Sequence, residues 1–345
     1  MAERINVKIT DIKSKVKGIL EGLNVPATDA EIATSALLDA EVSGVESHGL
    51  TRLKAYADGL ANGKINPTPD IDFKVNGVVM TVDGGNGLGQ VVTDKSLDKC
   101  IEMAKKYGVG IATIKHSNHF GTAAYYANKF AQAGCIGISA TNAGPTTAPF
   151  GGMSKILGTN PFSLAFPAEK NVFCADMATS AVAKGKIRIY AKKGQQIPLG
   201  WAIDVDGNDT TDPEAAIKGI LLPMAAHKGY ALAMIVDALC GLLSGANLSC
   251  ESISMVDVSA GNKPANTGHF LCAIDIEHFL PLTAFEGRAQ GWFDKIKASK
   301  PRPGMKIMIP GEPEANLRAK RIEEVDVLAE TVNMVDEYYS KYKHI

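Results

Sequence analysis

The residues best suited to chemistry in this sequence lie in the segment SHGLTR, which spans residues 47–52. His48 titrates near neutral pH, so it can give up or accept a proton under physiological conditions. Arg52 keeps its charge and can hold a carboxylate through two parallel hydrogen bonds. On a helix, His48, Arg52 and Tyr56 would share one face, opposite the buried face. The pair suits a substrate with a carboxylate beside a carbonyl or hydroxyl group; a helix end with incidental polar residues is the alternative.

Two predicted helices position this segment. Residues 27–42 have the pattern of a helix, with Thr28 as N-cap and Glu31 completing a capping box. The pattern then breaks, and a stripe of leucines resumes a few residues later. We therefore expect Ser47 to be the N-cap of a second helix.

The composition is that of an ordinary globular protein. With 345 residues, two or more lobes are expected, and 46% apolar and 21% charged residues are typical values. A net charge of −1 favours neither nucleic acid nor a membrane surface as a partner. The sequence shows no signal peptide, and its longest apolar run, residues 230–243, is too short to span a bilayer. Six cysteines without a CxxC pair are interpreted as buried, reduced thiols, so we expect a cytoplasmic enzyme.

Strands and helices are predicted to alternate through the middle of the chain, which indicates an α/β fold. The first 65 or so residues are predicted to be helical. The predicted strands are residues 78–82, 109–114, 136–140, 162–166, 172–175 and 269–276. The predicted helices are residues 91–107, 122–133, 181–193, 228–243, 281–297 and 323–342.

A glycine-rich turn, DGGNGLG at residues 83–89, follows a predicted strand and opens a predicted helix. Its glycine spacing is not GxGxxG, and the next strand does not end in an acidic residue that could hold a ribose hydroxyl. We therefore favour a tight turn that needs positive φ angles over a Rossmann dinucleotide site.

The segment KHSNHFG, residues 115–121, lies at the end of a predicted buried strand, where α/β sheets form ligand crevices. His116 and His119 have the spacing of two metal ligands, but no third ligand is evident. A catalytic or substrate-binding histidine is the favoured interpretation, and a capping and packing cluster is the alternative.

Three further segments have the pattern of ligand-binding turns. Residues 176–179, DMAT, precede a helix whose free backbone N–H groups could bind a phosphate. Lys228 in HKGY, residues 227–230, stands at the start of the most apolar helix and could reach a phosphate or hydroxyl. Residues 310–312, PGE, predict a turn.

These segments together resemble one family. The chain is similar to members of the malate/L-lactate dehydrogenase family, which includes L-sulfolactate and ureidoglycolate dehydrogenases and is unrelated in fold to ordinary lactate and malate dehydrogenases. The matching phrases run in family order over nearly the whole chain: SHG at 47–49 with Arg52, NHFG at 118–121, PFGG at 149–152, GTNP at 158–161, DMAT at 176–179, TTDP at 210–213, KGY at 228–230 and PGE at 310–312. One departure is Ala225-Ala226, where relatives often carry two glycines.

The resemblance implies an α/β fold in which a non-Rossmann NAD(P)-binding domain with a mixed sheet packs against a helical domain. Residues 1–70 would pack with helices in residues 312–345 to form the helical domain. Residues 71–311 would form the cofactor-binding and substrate region, in one lobe or two. A homodimer is also implied.

By the same resemblance His48 is the general acid/base, and His119 is a second candidate. Ser47, Arg52 and Asn118 would bind substrate, and no metal is assigned. The implied cofactor contacts are His119, Asn142, Asp176, Met177, Ala178, Thr179, His227, Lys228, Gly311 and Glu312.

The sequence thus predicts an NAD(P)-dependent 2-hydroxyacid dehydrogenase of the malate or L-lactate type, with NAD favoured over NADP. A cyclic imino acid reductase of the same family is the alternative. A metal-dependent hydrolase or lyase using His116 and His119, and a non-catalytic binding protein, belong to other classes. The particular hydroxy acid and the physiological direction stay open.

Overall fold

Strands and helices alternate along most of the chain, and the computed structural model describes residues 3–252 and 263–343. The strands are β1 (Arg4–Lys8), β2 (Asp72–Asn76), β3 (Val79–Asp83), β4 (Val109–Ser117), β5 (Cys135–Thr141), β6 (Phe162–Pro167), β7 (Val172–Met177), β8 (Ala202–Ile203), β9 (Ile220–Leu221), β10 (Thr267–Asp275) and β11 (Glu324–Leu328). The helices are α1 (Ile9–Gly22), α2 (Ala27–Val42), α3 (Leu53–Ala61), α4 (Gly89–Tyr107), α5 (Ala123–Gln132), α6 (Lys184–Lys192), α7 (Pro213–Lys218), α8 (His227–Asp237), α9 (Leu282–Ala298), α10 (Glu312–Lys320) and α11 (Ala329–Tyr342). The elements predicted between residues 78 and 297 are confirmed, with ends that move by a few residues, except that the helix predicted over 228–243 is α-helical only to Asp237 and continues as a π-helix, Ala238–Leu242.

A mixed sheet with the strand order β2-β3-β4-β10-β5-β6-β7 lies at the centre of the fold. Only β3 and β4 run parallel, with Val82 opposite Ile114, and the other neighbouring strands are antiparallel. A doubly wound Rossmann sheet is mostly parallel. The expected non-Rossmann α/β fold with a mixed sheet is therefore confirmed.

Successive side chains of β10 point to opposite faces of the sheet, as in any strand. Leu271 packs into a core formed with α4 and α5, whereas Phe270 packs on the opposite face with Val236 of α8. Because both faces are covered, β10 is buried along almost its whole length. The ends of β4, β5 and β10 are thereby held in fixed positions around one cavity.

The two ends of the described chain form a second core. β1 pairs antiparallel with β11, and the apolar side chains of α1, α2 and α3 pack against those of α11. Residues 4–8 and 324–328 are strands, so their assignment to helices was wrong. Val325 and Val327 are buried while Glu324 and Asp326 are exposed, which is the alternation of a strand that covers a core on one face.

The predicted helix caps are wrong, although the helix itself is confirmed. Pro26 occupies the N-cap position of α2, and no side chain caps this helix. Thr28 bonds instead to Asp29, and Glu31 forms an ion pair with Lys13. A proline before the first turn presets the backbone, so this helix starts without a capping box.

The glycine-rich turn is packed against the rest of the protein. Gly85 and Asn86 have φ angles of 55° and 60°, as the tight-turn interpretation requires. A Cβ on Gly89 would overlap the carbonyl oxygens of Asn118 and His119. This glycine lets the start of α4 approach the His119 segment closely.

Five of the six cysteines are buried, as expected, but Cys250 is exposed; all six thiols are free. Within the described ranges, no helix combines the length and apolar character that crossing a membrane requires.

Candidate active site

A cavity of about 530 Å³ lies where the second core with its helices α1, α2 and α3, here called the N-terminal lobe, meets the ends of the central strands. The N-terminal lobe contributes His48 and Arg52, and the loop after β4 contributes His119. The remaining wall includes Thr141 and Thr146, from the end of β5 and the loop that follows. A cavity of this size and location is typical of a small-molecule site.

His48 does not lie on a regular helix. It ends one short 3₁₀ turn, Glu46–His48, and Arg52 ends the next. The buried Glu41 carboxylate accepts a hydrogen bond from the Leu50 N–H at 2.9 Å, and a Cβ on Gly49 would overlap this carboxylate. The chain must therefore turn tightly between the two residues, and Ser47 is not the N-cap of a helix.

Arg52 is oriented by the backbone beside it. Its Nε donates to the Ser47 carbonyl at 2.7 Å. In the described part of the chain, the two terminal guanidinium nitrogens have no hydrogen-bond partner and no acidic partner. They remain available for a carboxylate in the cavity.

The rings of His48 and His119 stack, with centroids 5.5 Å apart and planes 20° apart. Burial, and then the Arg52 charge, lowers the pKa of His48 to about 4. Burial also lowers the pKa of His119 well below its usual value, with Arg52 and His48 adding to the effect. Both rings are neutral at physiological pH, and the Ser47 hydroxyl lies 2.9 Å from His48 Nδ1.

Tyr56 was expected on the side of the helix away from the core, and this is wrong. Its side chain is 1% exposed, and its hydroxyl lies 2.6 Å from His119 Nδ1. The loop that carries His119 packs over α3 and buries this face.

A buried histidine supports the cavity wall from behind. His269 on β10 lies within 2.8 Å of the hydroxyls of both Thr141 and Ser117, and its ring stacks on Phe120. Sequence analysis did not single it out, since only the pairing of β10 with both β4 and β5 brings these partners together.

Two asparagines singled out from the sequence use their side chains internally. The Asn118 amide nitrogen donates to carbonyl oxygens of Asn86 and Gly87, which braces the glycine-rich turn. Asn142 lines the cavity, but its amide donates to Asp237 and Asn247 and its oxygen accepts from the Gly268 N–H. Neither side chain is free to turn toward a ligand without breaking these bonds.

A second cleft, of about 540 Å³, adjoins the first at the start of α5. Gly121 lines the first cavity, and the next residue, Thr122, lines the second. Asp176, Met177 and Gly311 line this cleft. Desolvation by the surrounding protein raises the pKa of the Asp176 carboxyl to about 6, and a hydrogen bond from the Ala124 N–H offsets part of this shift.

The remaining predicted cofactor contacts lie around these two spaces. Thr179 bonds through its backbone and hydroxyl to the carbonyl of Thr159, which lines the first cavity; Ala178 precedes it. Glu312 is paired with Lys297, which lowers the pKa of its carboxyl. We therefore expect Glu312 to orient the turn rather than face a ligand.

The start of α8 adjoins the same region. The Met224 N–H donates to the Thr179 carbonyl at 2.9 Å, so the two segments lie side by side. His227 and Lys228 are exposed at the first turn of α8. The two residues before them, Ala225 and Ala226, have φ angles of 47° and 56°, which L residues rarely adopt.

The hydroxyl group of Thr146 is relevant to cofactor binding. The Thr146 hydroxyl oxygen is buried, lines the first cavity and has no partner among the described residues. Buried hydroxyls are normally satisfied, so this atom fits a polar group of a ligand. Together with the adjoining cleft, the cavity forms an extended space with Arg52 in one part and Asp176 in the other. This arrangement fits a dinucleotide bound beside a small acid.

The two histidines of KHSNHFG do not converge. His116 Nδ1 pairs with Asp83 at 2.8 Å, whereas His119 Nδ1 faces Tyr56. Within residues 3–252 and 263–343, no group of three or more His, Cys, Asp or Glu side chains is arranged to hold a metal ion.

Comparison with known proteins agrees with this architecture. A model of the malate/L-lactate dehydrogenase family matches residues 7–335. The malate dehydrogenase of Pyrococcus horikoshii is 43% identical over 85% of this chain and 83% of that protein. A solved structure of malate dehydrogenase from that organism superposes with a TM-score of 0.90 at 36% identity, covering 99% of this chain and 97% of that one.

A sulfolactate dehydrogenase is similarly close. The L-sulfolactate dehydrogenase of Methanocaldococcus jannaschii is 37% identical over 94% of each chain. A sulfolactate dehydrogenase structure from that organism superposes with a TM-score of 0.93 at 36% identity, covering 98% of this chain and 97% of that one.

Proposed function

This chain belongs to the malate/L-lactate dehydrogenase family, and from that premise we propose that it interconverts a small 2-hydroxy acid and its 2-oxo acid with a nicotinamide cofactor. It is an enzyme of the hydroxy-acid dehydrogenase type. The proposal names the malate or L-lactate type of substrate and the residues that act on it. The observation that carries it is one cavity lined by an arginine with a free fork and two stacked, neutral histidines.

Arg52 binds the substrate carboxylate. Its Nε is fixed by Ser47, so the terminal nitrogens meet the carboxylate in a defined plane. C2 is bonded to the carboxylate carbon, so holding the carboxylate at Arg52 places the C2 oxygen near the histidines. When bound, the cofactor supplies or accepts the hydride at C2.

His48 moves the proton. In oxidation the neutral ring accepts the hydroxyl proton of the substrate, and in reduction the protonated ring returns a proton to the oxygen at C2. The free Arg52 charge lowers the pKa of His48. A bound carboxylate neutralises that charge, so substrate binding makes His48 a better base when it is needed.

We infer that NAD is preferred to NADP. Asp176 and Glu314 line the second cleft, and Arg318, the cation there, is held by both oxygens of Asp39. A 2′-phosphate would therefore meet negative charge, whereas a ribose diol finds acceptors. Relatives include one named for NADP and one named for NAD, so the choice needs measurement.

A cyclic imino acid reductase is the second candidate. One relative is named a Δ1-pyrroline-2-carboxylate reductase, and such a substrate also carries a carboxylate beside the reducible carbon. Arg52 would bind it in the same way. The homodimer also stays a prediction; the half-exposed Met234 and Ile235 on α8 offer apolar surface for one.

A substrate panel tests the proposal. Purified protein is assayed with NADH and NADPH in parallel against oxaloacetate, pyruvate, sulfopyruvate and Δ1-pyrroline-2-carboxylate. We expect oxidation of NADH with at least one 2-oxo acid, and none with acetone, which lacks the carboxylate. Turnover of only the cyclic imine would favour the second candidate, and no turnover of any compound would contradict both.

A further inference from the structure

A buried polar chain runs behind His119 and does not reach the cavity itself. The Tyr56 hydroxyl lies 2.6 Å from His119 Nδ1, and the Gly121 N–H donates to the same nitrogen at 3.3 Å. Nδ1 is therefore enclosed by the protein, whereas Nε2 has no described partner. Nε2 is therefore the ring nitrogen that can bond to a ligand in the cavity that His119 lines.

The donors around Nδ1 decide where the ring proton sits. A backbone N–H can only donate, so the long Gly121 contact, at 3.3 Å, favours an Nδ1 that accepts. A neutral imidazole that accepts at Nδ1 carries its proton on Nε2. The Tyr56 hydroxyl then also donates to Nδ1, because two acceptors cannot bond to each other, and its 2.6 Å contact is the stronger of the two bonds that hold this tautomer.

Gln90 completes the chain from the other side of Tyr56. Its side chain is fully buried on the first turn of α4 and lies beside the Tyr56 hydroxyl. Neither its oxygen nor its nitrogen completes a hydrogen bond to a described residue. Because the Tyr56 proton is committed to His119, the Tyr56 oxygen can only accept, and the Gln90 amide nitrogen must face it.

We propose that Gln90 and Tyr56 are positioning residues that fix His119 as its Nε2–H tautomer, so that this ring is a permanent hydrogen-bond donor to the cavity. The inference rests on the proposed function for the group that receives the bond, the oxygen at C2. His119 stays neutral and polarises that oxygen while His48 carries the proton. The two stacked histidines thus have different tasks. The buried chain makes His119 the hydrogen-bond donor and leaves proton transfer to His48.

The tautomer is read directly by NMR of the full chain labelled with ¹⁵N-histidine, and His119→Gln assigns the signals. We expect a pyrrole-type Nε2 and a pyridine-type Nδ1 for His119 between pH 6 and 9. A pyrrole-type Nδ1 in the wild-type protein would overturn the proposal. This readout needs neither substrate nor activity, so it stands apart from any failure of the proposed function.

Two variants test the chain itself. Tyr56→Phe removes the hydroxyl and keeps the ring; we expect the Nδ1 signal to move toward the pyrrole type and kcat for 2-oxo acid reduction to fall roughly tenfold. KM should change less than twofold because Arg52 is untouched. An unchanged tautomer signal in this variant would contradict the proposal.

Gln90→Met should lower kcat by a smaller factor and have no further effect in the Tyr56→Phe background, because it acts through Tyr56. Equal losses in both backgrounds would show that Gln90 acts independently. Thr93→Val is the matched control, since Thr93 is on the same helix and its buried hydroxyl lies beside Tyr126, not Tyr56, without completing a hydrogen bond to a described residue. It should leave kcat and the tautomer unchanged.

Discussion

The ring of His48 stacks on the ring of His119, with 5.5 Å between centroids, and the Arg52 guanidinium in the same cavity acts on both. Stacked imidazoles cannot both carry charge cheaply, and His48 lowers the pKa of His119. Protonation of one ring therefore disfavours protonation of the other. This is why the two histidines are assigned separate tasks.

Replacing His48 with Gln keeps a polar side chain but removes proton transfer. We expect kcat to fall by ~10²-fold or more, with NADH affinity nearly unchanged. Steady-state kinetics and a fluorescence titration with NADH measure the two quantities. His116→Gln serves as control, because His116 pairs with Asp83 outside the cavity. Full activity in His48→Gln would mean that His119, and not His48, transfers the proton.

Replacing Arg52 with Lys retains the charge but loses the fork. A single ammonium cannot hold both oxygens of the carboxylate, so KM for the 2-oxo acid should rise by tenfold or more. Affinity for NADH should stay the same. Initial rates over a range of substrate concentrations decide the matter; an unchanged KM would mean that the carboxylate binds elsewhere.

Gly89→Ala should reduce activity although Gly89 does not line the first cavity. The new Cβ would overlap the Asn118 and His119 carbonyl oxygens, so the loop must move. We expect kcat to drop by at least tenfold with the fold retained, as judged by circular dichroism. Gly291→Ala is the matched control, since its Cβ meets open space on a helix. Wild-type rates in Gly89→Ala would show that His119 tolerates displacement.

Stability should fall as the pH drops below neutral. Burial lowers the pKa of His269 in the folded protein to about 3, against 6.5 ordinarily. Between these values the unfolded chain binds a proton that the folded chain excludes, so this contribution is complete above pH 6.5 and is lost on acidification. From pH 7 to pH 5 the loss from His269 is about 2 kcal/mol.

Urea unfolding at pH 7 and at pH 5 measures this loss of stability. His269→Asn, which does not titrate, should lose less stability over this interval by that amount. The exposed His227→Asn variant should retain the full wild-type dependence. Identical pH dependence in His269→Asn and wild type would contradict the assignment.

Ala226→Gly should stabilise the protein. Ala226 has φ 56° and ψ −122°, a conformation that glycine adopts without strain. Relief of ~1–3 kcal/mol of strain exceeds the ~0.5–1 kcal/mol that glycine's flexibility costs. Ala231→Gly, at an exposed position inside α8, should instead destabilise the protein. Calorimetric melting temperatures compare the three proteins; a lower value for Ala226→Gly would mean that the strain is relieved elsewhere.

Sequence patterns predicted the helices and strands whose formation depends on residues close together in the chain. Long periodic stretches such as α4 and β4 were predicted because their apolar spacing is local. β1 was missed because five residues give too short an alternation. The role of Tyr56 was missed for a different reason: its partner His119 lies 63 positions away.

Long-range pairing also explains the asparagines. The Asn142 amide is engaged by Asp237 and Asn247, 95 and 105 positions along the chain. No spacing rule brings these residues together. The motif order identified the family, but the tasks of its individual side chains follow only from the contacts.

The pairing of β1 with β11 also determines when the N-terminal lobe can form during synthesis. Lys8 pairs with Glu324, so translation must proceed almost to the end of this chain before the strand finds its partner. At ~5–20 residues per second this interval is roughly 15–60 s. Throughout it, Val16 and Leu20 lack the α11 side chains that later cover them, and they are a natural surface for a chaperone. The segment that carries His48 is thus synthesised early, but the lobe that holds it is completed only after β11 has been made.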